Sequence, residues 1–132
     1  MKKRAMLAVA AAAGLVLQST AFAGLNSSLP VTAGSDYAYG GLTDARNSSD
    51  NKQYIGCYLG LSFNASGGQT SDYVSCSGQS ASGAYYYCYV QYPSLQLTSL
   101  VAGLNHASYL YFYGDSAHHC LSVSVQNASW AL

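Results

Sequence analysis

Gln53-Tyr54-Ile55-Gly56-Cys57-Tyr58-Leu59-Gly60-Leu61-Ser62-Phe63 puts Ile55, Cys57, Leu59, Leu61 and Phe63 at every second position, with Tyr54, Tyr58 and Ser62 between them. A period of two is the signature of a strand with one buried face, because successive side chains of an extended chain point to opposite sides. This stretch therefore predicts a strand whose aliphatic stripe turns inward and whose tyrosines turn outward. Gly56 and Gly60 fall on the tyrosine side, where a missing side chain admits a neighbouring backbone or a flat ring. Asn64-Ala65-Ser66-Gly67-Gly68 is turn chemistry and closes the strand.

Downstream the same pattern recurs. Strands are predicted over Tyr73 to Ser77 and Tyr85 to Tyr92, joined by Gly78-Gln79-Ser80-Ala81-Ser82-Gly83. Pro93 ends the second of these, and Leu97, Leu100, Val101 and Leu104 follow at the helical spacing i, i+3, i+4, i+7, with Gly103 as a stop. Alternation returns in Tyr109 to Tyr113, Gly114-Asp115-Ser116 turns the chain, and Leu121, Val123 and Val125 mark a last strand. The expected fold is mainly β, a small sheet or β-sandwich of about five strands with one short helix, occupying residues 53–132.

Upstream, Met1-Lys2-Lys3-Arg4, the apolar run Ala5 to Leu17 and Ala21-Phe22-Ala23 have the three parts of a secretory signal covering residues 1–23. The run is shorter than the roughly 20 apolar residues that span a bilayer, so membrane insertion is not expected. Residues 24–52 are rich in Ser, Gly, Asn and Asp and predict a flexible lead-in. Cleavage after Ala23 leaves Arg46 and Lys52 against Asp36, Asp44, Asp50, Asp72 and Asp115, a net charge of −3. Such a surface repels phosphate backbones, which argues against nucleic acid as a partner.

Export also decides the reading of the cysteines. Cys57, Cys76, Cys88 and Cys120 are an even set in a short exported chain, which implies two disulfides. Their intervals lack the close Cys-x-x-Cys pair of a structural zinc site, and no metal or cofactor is expected. Cys76 and Cys88 stand opposite each other if the hairpin centres on Ala81-Ser82, which favours Cys76–Cys88 with Cys57–Cys120 among the three possible pairings. The expected location is periplasmic or extracellular.

Thirteen tyrosines stand in the chain. Three rows, Tyr54 and Tyr58, Tyr85, Tyr87 and Tyr89, and Tyr109, Tyr111 and Tyr113, lie opposite the aliphatic stripes. A flat apolar ring with a polar tip suits stacking on sugars or packing against a protein at small entropic cost. The same rows also serve as cross-strand pairs that cover a sheet. Tyr85, Tyr87 and Tyr89 are the candidate binding residues of a non-enzymatic exported domain, acting on glycan or protein or as a structural envelope component. His106, His118 and His119 are the only imidazoles, and a hydrolase would have to use His118 or His119 with Asp115. The chain has no Gly-x-Ser-x-Gly elbow and no glutamate. Extended backbone would also send His118 and His119 to opposite faces.

Two resemblances follow from these residues. Gln53-Tyr54-Ile55-Gly56-Cys57, Cys76, Cys88, Leu104-Asn105, Ser108-Tyr109-Leu110-Tyr111-Phe112, Cys120 and Val123-Ser124-Val125-Gln126-Asn127-Ala128-Ser129 together resemble a set of small exported bacterial proteins of unknown function with four cysteines. That resemblance implies two disulfides and export, and no activity. Ser80-Ala81-Ser82-Gly83-Ala84-Tyr85-Tyr86 is similar to the loop motif of periplasmic inhibitors of c-type lysozyme. It implies that Ser82 and Tyr86 enter or border a lysozyme cleft. The lysine of that family's second motif has no counterpart here, the last lysine being Lys52.

Overall fold

A computed structural model describes residues 28–127. The secretory signal expected over residues 1–23 lies outside the described residues. Seven strands and two helices follow in the order β1 (Thr32–Ala33), β2 (Tyr37–Gly41), α1 (Leu42–Asn47), β3 (Tyr54–Phe63), β4 (Gln69–Gln79), β5 (Tyr85–Gln91), α2 (Leu95–Ala102), β6 (Ser108–Gly114) and β7 (Cys120–Asn127). All pairing within the sheets is antiparallel. One sheet runs β1-β2-β6-β7 and the other β3-β4-β5. The expected strands after residue 53 all form, and α2 occupies the segment with helical spacing.

The two sheets pack face to face. Ala38, Leu110 and Phe112 of the four-stranded sheet meet Ile55, Val74, Cys76, Tyr86 and Cys88 of the three-stranded sheet in one apolar cluster. Each large side chain taken fully out of water contributes about 1.5–3 kcal/mol, so this layer is the main source of stability. Gly78 permits the closest approach, since a Cβ placed there would lie 3.0 Å from the Cβ of Ala38. Helix α2 closes one end of the sandwich with Val101 buried and Leu97 and Leu104 packed against the cluster. Ser94 caps it by accepting a hydrogen bond from the Leu97 N–H at 3.2 Å.

Three expectations are corrected. The segment expected to be a flexible lead-in carries β1, β2 and α1 from residue 32 onward and gives Val31, Ala38 and Ala45 to the core. Polar side chains also tie it down: Asp44 Oδ2 accepts from the Leu29 N–H at 2.7 Å, and Gln53 Oε1 accepts from the Val31 N–H at 2.8 Å. The ordered unit thus begins before residue 53, and two strands and a helix are added to the expected set.

The second correction concerns the disulfides, which join Cys57 to Cys76 and Cys88 to Cys120. Cys76 does stand opposite Cys88, but it also stands opposite Cys57 on its other side. Because a residue's N–H and C=O leave an extended strand on the same side, a central residue faces one neighbour across a narrow, non-hydrogen-bonded pair and the other across a wide pair. The Cα separation of 4.0 Å identifies Cys57 as the narrow partner. Cys88 is left for Cys120, which the Tyr89 to His119 bridge brings to the free edge of β5.

The third correction lies in the stretch that first revealed the fold. Ile55 is buried, but Leu59, Leu61 and Phe63 are 43%, 59% and 59% exposed. The β3–β4 hairpin is ten to eleven residues long per strand, against five to eight for β2, β6 and β7. Its distal half overhangs the facing sheet, so alternation there persists without a core to meet it.

Candidate functional site

The outward face of the three-stranded sheet is read off its register. Across the strands β3, β4 and β5, Tyr54 lines up with Gln79 and Tyr85, Gly56 with Ser77 and Tyr87, Tyr58 with Ser75 and Tyr89, and Gly60 with Tyr73 and Gln91. Tyrosines thus stand on both outer strands while the central strand carries serines between them. Strand axes are about 4.8 Å apart, so the two tyrosine banks are separated by about 10 Å. The result is a trough along β4, with a cavity of 340 Å³ lined by Tyr58, Tyr73, Ser75, Tyr87, Tyr89 and Gln91. None of the residues aligned on this face carries a charge.

The rings are set by their neighbours. Tyr58 meets Tyr73 edge-to-face with centroids 5.7 Å apart, and Tyr85 stacks on Tyr87 at 5.9 Å. Tyr73 lies across Gly60, where a Cβ would collide with its ring, whereas Gly56 has open space above it. The Tyr85 phenol is pushed above its ordinary pKa, first by burial and then by Tyr54 and Tyr87 beside it. It stays a neutral hydrogen-bonding group through the physiological range.

One wall of the trough is extended by the turn between β6 and β7. Asp115 Oδ1 accepts from the N–H groups of Ala117 and His119 at 2.9 and 2.8 Å, while its Oδ2 pairs with His119 Nδ1 at 3.0 Å. These contacts, led by the His119 N–H, hold the Asp115 carboxyl below the ordinary carboxylate range. His118 takes the left-handed conformation with φ of 63°, which costs energy for a residue with a Cβ. That bend lays its ring on Tyr87 at 4.3 Å and 13°, and lets its Nδ1 donate to the Tyr87 carbonyl at 3.0 Å. His119 meets Tyr89 edge-on at 5.3 Å. The two imidazoles, expected to diverge, both flank β5 because the backbone there is bent rather than extended.

The candidate residues Tyr85, Tyr87 and Tyr89 therefore share one face, with Tyr85 and Tyr87 exposed and Tyr89 half-buried. Ser82 and Tyr86 are not brought together. Ser82 sits on the exposed hairpin turn with its Oγ 2.9 Å from that of Ser80. Tyr86 points the other way, 2% exposed and stacked on Phe112 in the core, so it is not available to enter a partner's cleft. The reading by rows missed Tyr73, Ser75 and Gln91. Parity would have found Tyr73 and Ser75, since both are an odd number of residues from Cys76 and hence on the opposite face. Among the described residues no three His, Cys, Asp or Glu side chains are placed to hold a metal ion. No family model, curated protein or solved structure matches this chain.

Proposed function

We propose that this is an exported, non-enzymatic binding domain whose β3–β4–β5 trough holds an uncharged glycan chain. The observation that carries the reading is the alignment of Gly56 with Ser77 and Tyr87, and of Tyr58 with Ser75 and Tyr89, which sets aromatic walls around a small polar floor. Tyrosine rings offer flat apolar faces to the C–H faces of sugar rings, and phenol, serine and glutamine groups offer hydrogen bonds to hydroxyls. An uncharged lining favours a neutral ligand over an acidic one, because a charged group would lose hydration without gaining a counter-charge.

Retention on a panel of neutral and acidic polysaccharides tests this. The intact protein is expected to be held by neutral chains. Tyr87→Ala is expected to weaken retention at least tenfold, with far-ultraviolet circular dichroism unchanged. Equal retention of Tyr87→Ala, or binding confined to acidic polymers, would remove the proposal. The signal-like sequence of residues 1–23 supports a site in the periplasm or outside the cell, and amino-terminal sequencing of the native protein should begin at Gly24.

A further inference from the structure

Among the described residues β3 is an edge strand of the three-stranded sheet, terminal in the order β3-β4-β5, and no strand pairs with its outer edge. Natural edge strands are normally blunted by charge, proline or shortness, since unpaired N–H and C=O groups template another strand. β3 is ten residues long and contains neither a charged residue nor a proline. Its distal half adds Leu59, Leu61 and Phe63 on one face and Tyr58 on the other, all exposed. Beside Leu59 and Leu61 lies a 160 Å³ cleft that Pro93 and Thr98 complete from the α2 side.

We infer that this edge is an interface between two copies of the chain, β3 pairing antiparallel with β3 of the second copy about a twofold axis at Gly60. The strand is self-complementary in that register. Leu59 faces Leu61 of the second copy, Leu61 faces Leu59, Tyr58 faces Ser62, and no like charges meet. Tyr58, Leu59, Leu61 and Phe63 are the exposed apolar side chains that such pairing brings against their counterparts. A lipid surface fits less well. The hairpin tip ahead of the apolar stripe is Asn64-Ala65-Ser66-Gly67-Gly68-Gln69, and neither Arg46 nor Lys52 lies on the hairpin to meet anionic headgroups. Tyr58 borders both this edge and the trough, whereas Leu59, Leu61 and Phe63 lie on the opposite face of β3, so Leu61→Lys tests the pairing without changing the trough lining.

Sedimentation velocity of the oxidised protein over a range of concentrations decides the matter. Dimers are expected to form as concentration rises, and Leu61→Lys, at a site already exposed, should raise the dissociation constant at least tenfold with the circular dichroism unchanged. Leu121→Lys makes the same chemical change on β7, where Leu121 is 63% exposed, and is expected to leave the dimer intact. A monomer at every concentration, a dimer indifferent to Leu61→Lys, or equal disruption by Leu121→Lys would overturn the inference. So would flotation of the monomer with phosphatidylcholine vesicles that Leu61→Lys abolishes, which would assign the stripe to lipid.

Discussion

The two sheets wear the same residue outward and make opposite shapes of it. On the four-stranded sheet the tyrosines occupy the two central strands: Tyr37 and Tyr39 on β2, Tyr109, Tyr111 and Tyr113 on β6. Its flanking strands carry Thr32, Ser122, Ser124 and Gln126 in register with them. Neighbouring strands then present ring against ring. Tyr37 stacks on Tyr39 at 6.0 Å, Tyr39 meets Tyr109 at 6.2 Å and Tyr111 at 6.4 Å, and Tyr111 meets Tyr113 at 6.0 Å. The three-stranded sheet reverses the profile around its middle, with Ser75 and Ser77 on the central strand and Tyr58, Tyr87 and Tyr89 on the strands beside them. One face is a ridge of rings packed across adjacent strands, the other a trough whose rings flank a floor of Ser75 and Ser77. What separates a packing surface from a binding surface here is the strand between the tyrosines.

The sheets also differ in their covalent anchoring, and the largest expected effect tests that. Both disulfides involve the trough sheet, one within it and one linking β5 to β7. Replacing Cys88 and Cys120 together by serine should cost about 4 kcal/mol from the loop of 32 residues that the bridge closes. Replacing Cys57 and Cys76 should cost about 3 kcal/mol, read from denaturant midpoints of each pair. Polysaccharide retention should fall only with the first pair, which holds His118 and His119 against Tyr87 and Tyr89.

Ring-on-ring packing in the ridge gives the next effect. Tyr39 touches three other tyrosines, so Tyr39→Ala is expected to lower stability by about 2 kcal/mol while leaving glycan retention unchanged. A loss of retention equal to that of Tyr87→Ala would erase the distinction between the faces. Gly56→Tyr should convert trough to ridge. Open space above Gly56 accepts the side chain, strand propensity improves by about 0.5 kcal/mol, and ligand retention is lost as the gap beside Ser77 fills.

Acid gives the smallest effect. The Asp115 carboxyl titrates below its ordinary value of 3.8 in the folded protein, so its contribution to the turn is complete above that value and is lost as pH falls through the lowered pKa. Proton NMR of the His118, His119, Tyr87 and Tyr89 rings should therefore show the turn loosening only below about pH 4. Ridge tyrosines should show no matching change.

Much of this fold was legible locally. Alternation marked every strand from Tyr54 onward, and the helical spacing of Leu97, Leu100, Val101 and Leu104 marked α2. What failed was whatever depended on distant parts of the chain. Residues 32–47 have too few large apolar groups to announce strands, yet β2 pairs with β6, Tyr37 standing opposite Tyr113, and is held by a partner that lies far along the chain. The exposed end of β3 has a faultless buried-strand pattern and nothing opposite it. At the site, the outward direction of Tyr85, Tyr87 and Tyr89 followed from parity alone, while the pairing of cysteines required the choice between narrow and wide cross-strand neighbours.

Sequence by itself determined which residues point to the same side of each strand, because side-chain direction is a property of the local backbone. The even count of four cysteines in a short chain also announced two bridges, and two are formed. Tertiary structure alone decided which strands share a sheet and which residues align across them. That is why eight tyrosines in three similar rows became a ridge in one sheet and a trough in the other: register is set by long-range pairing, and only register put Ser75 and Ser77 between the rings.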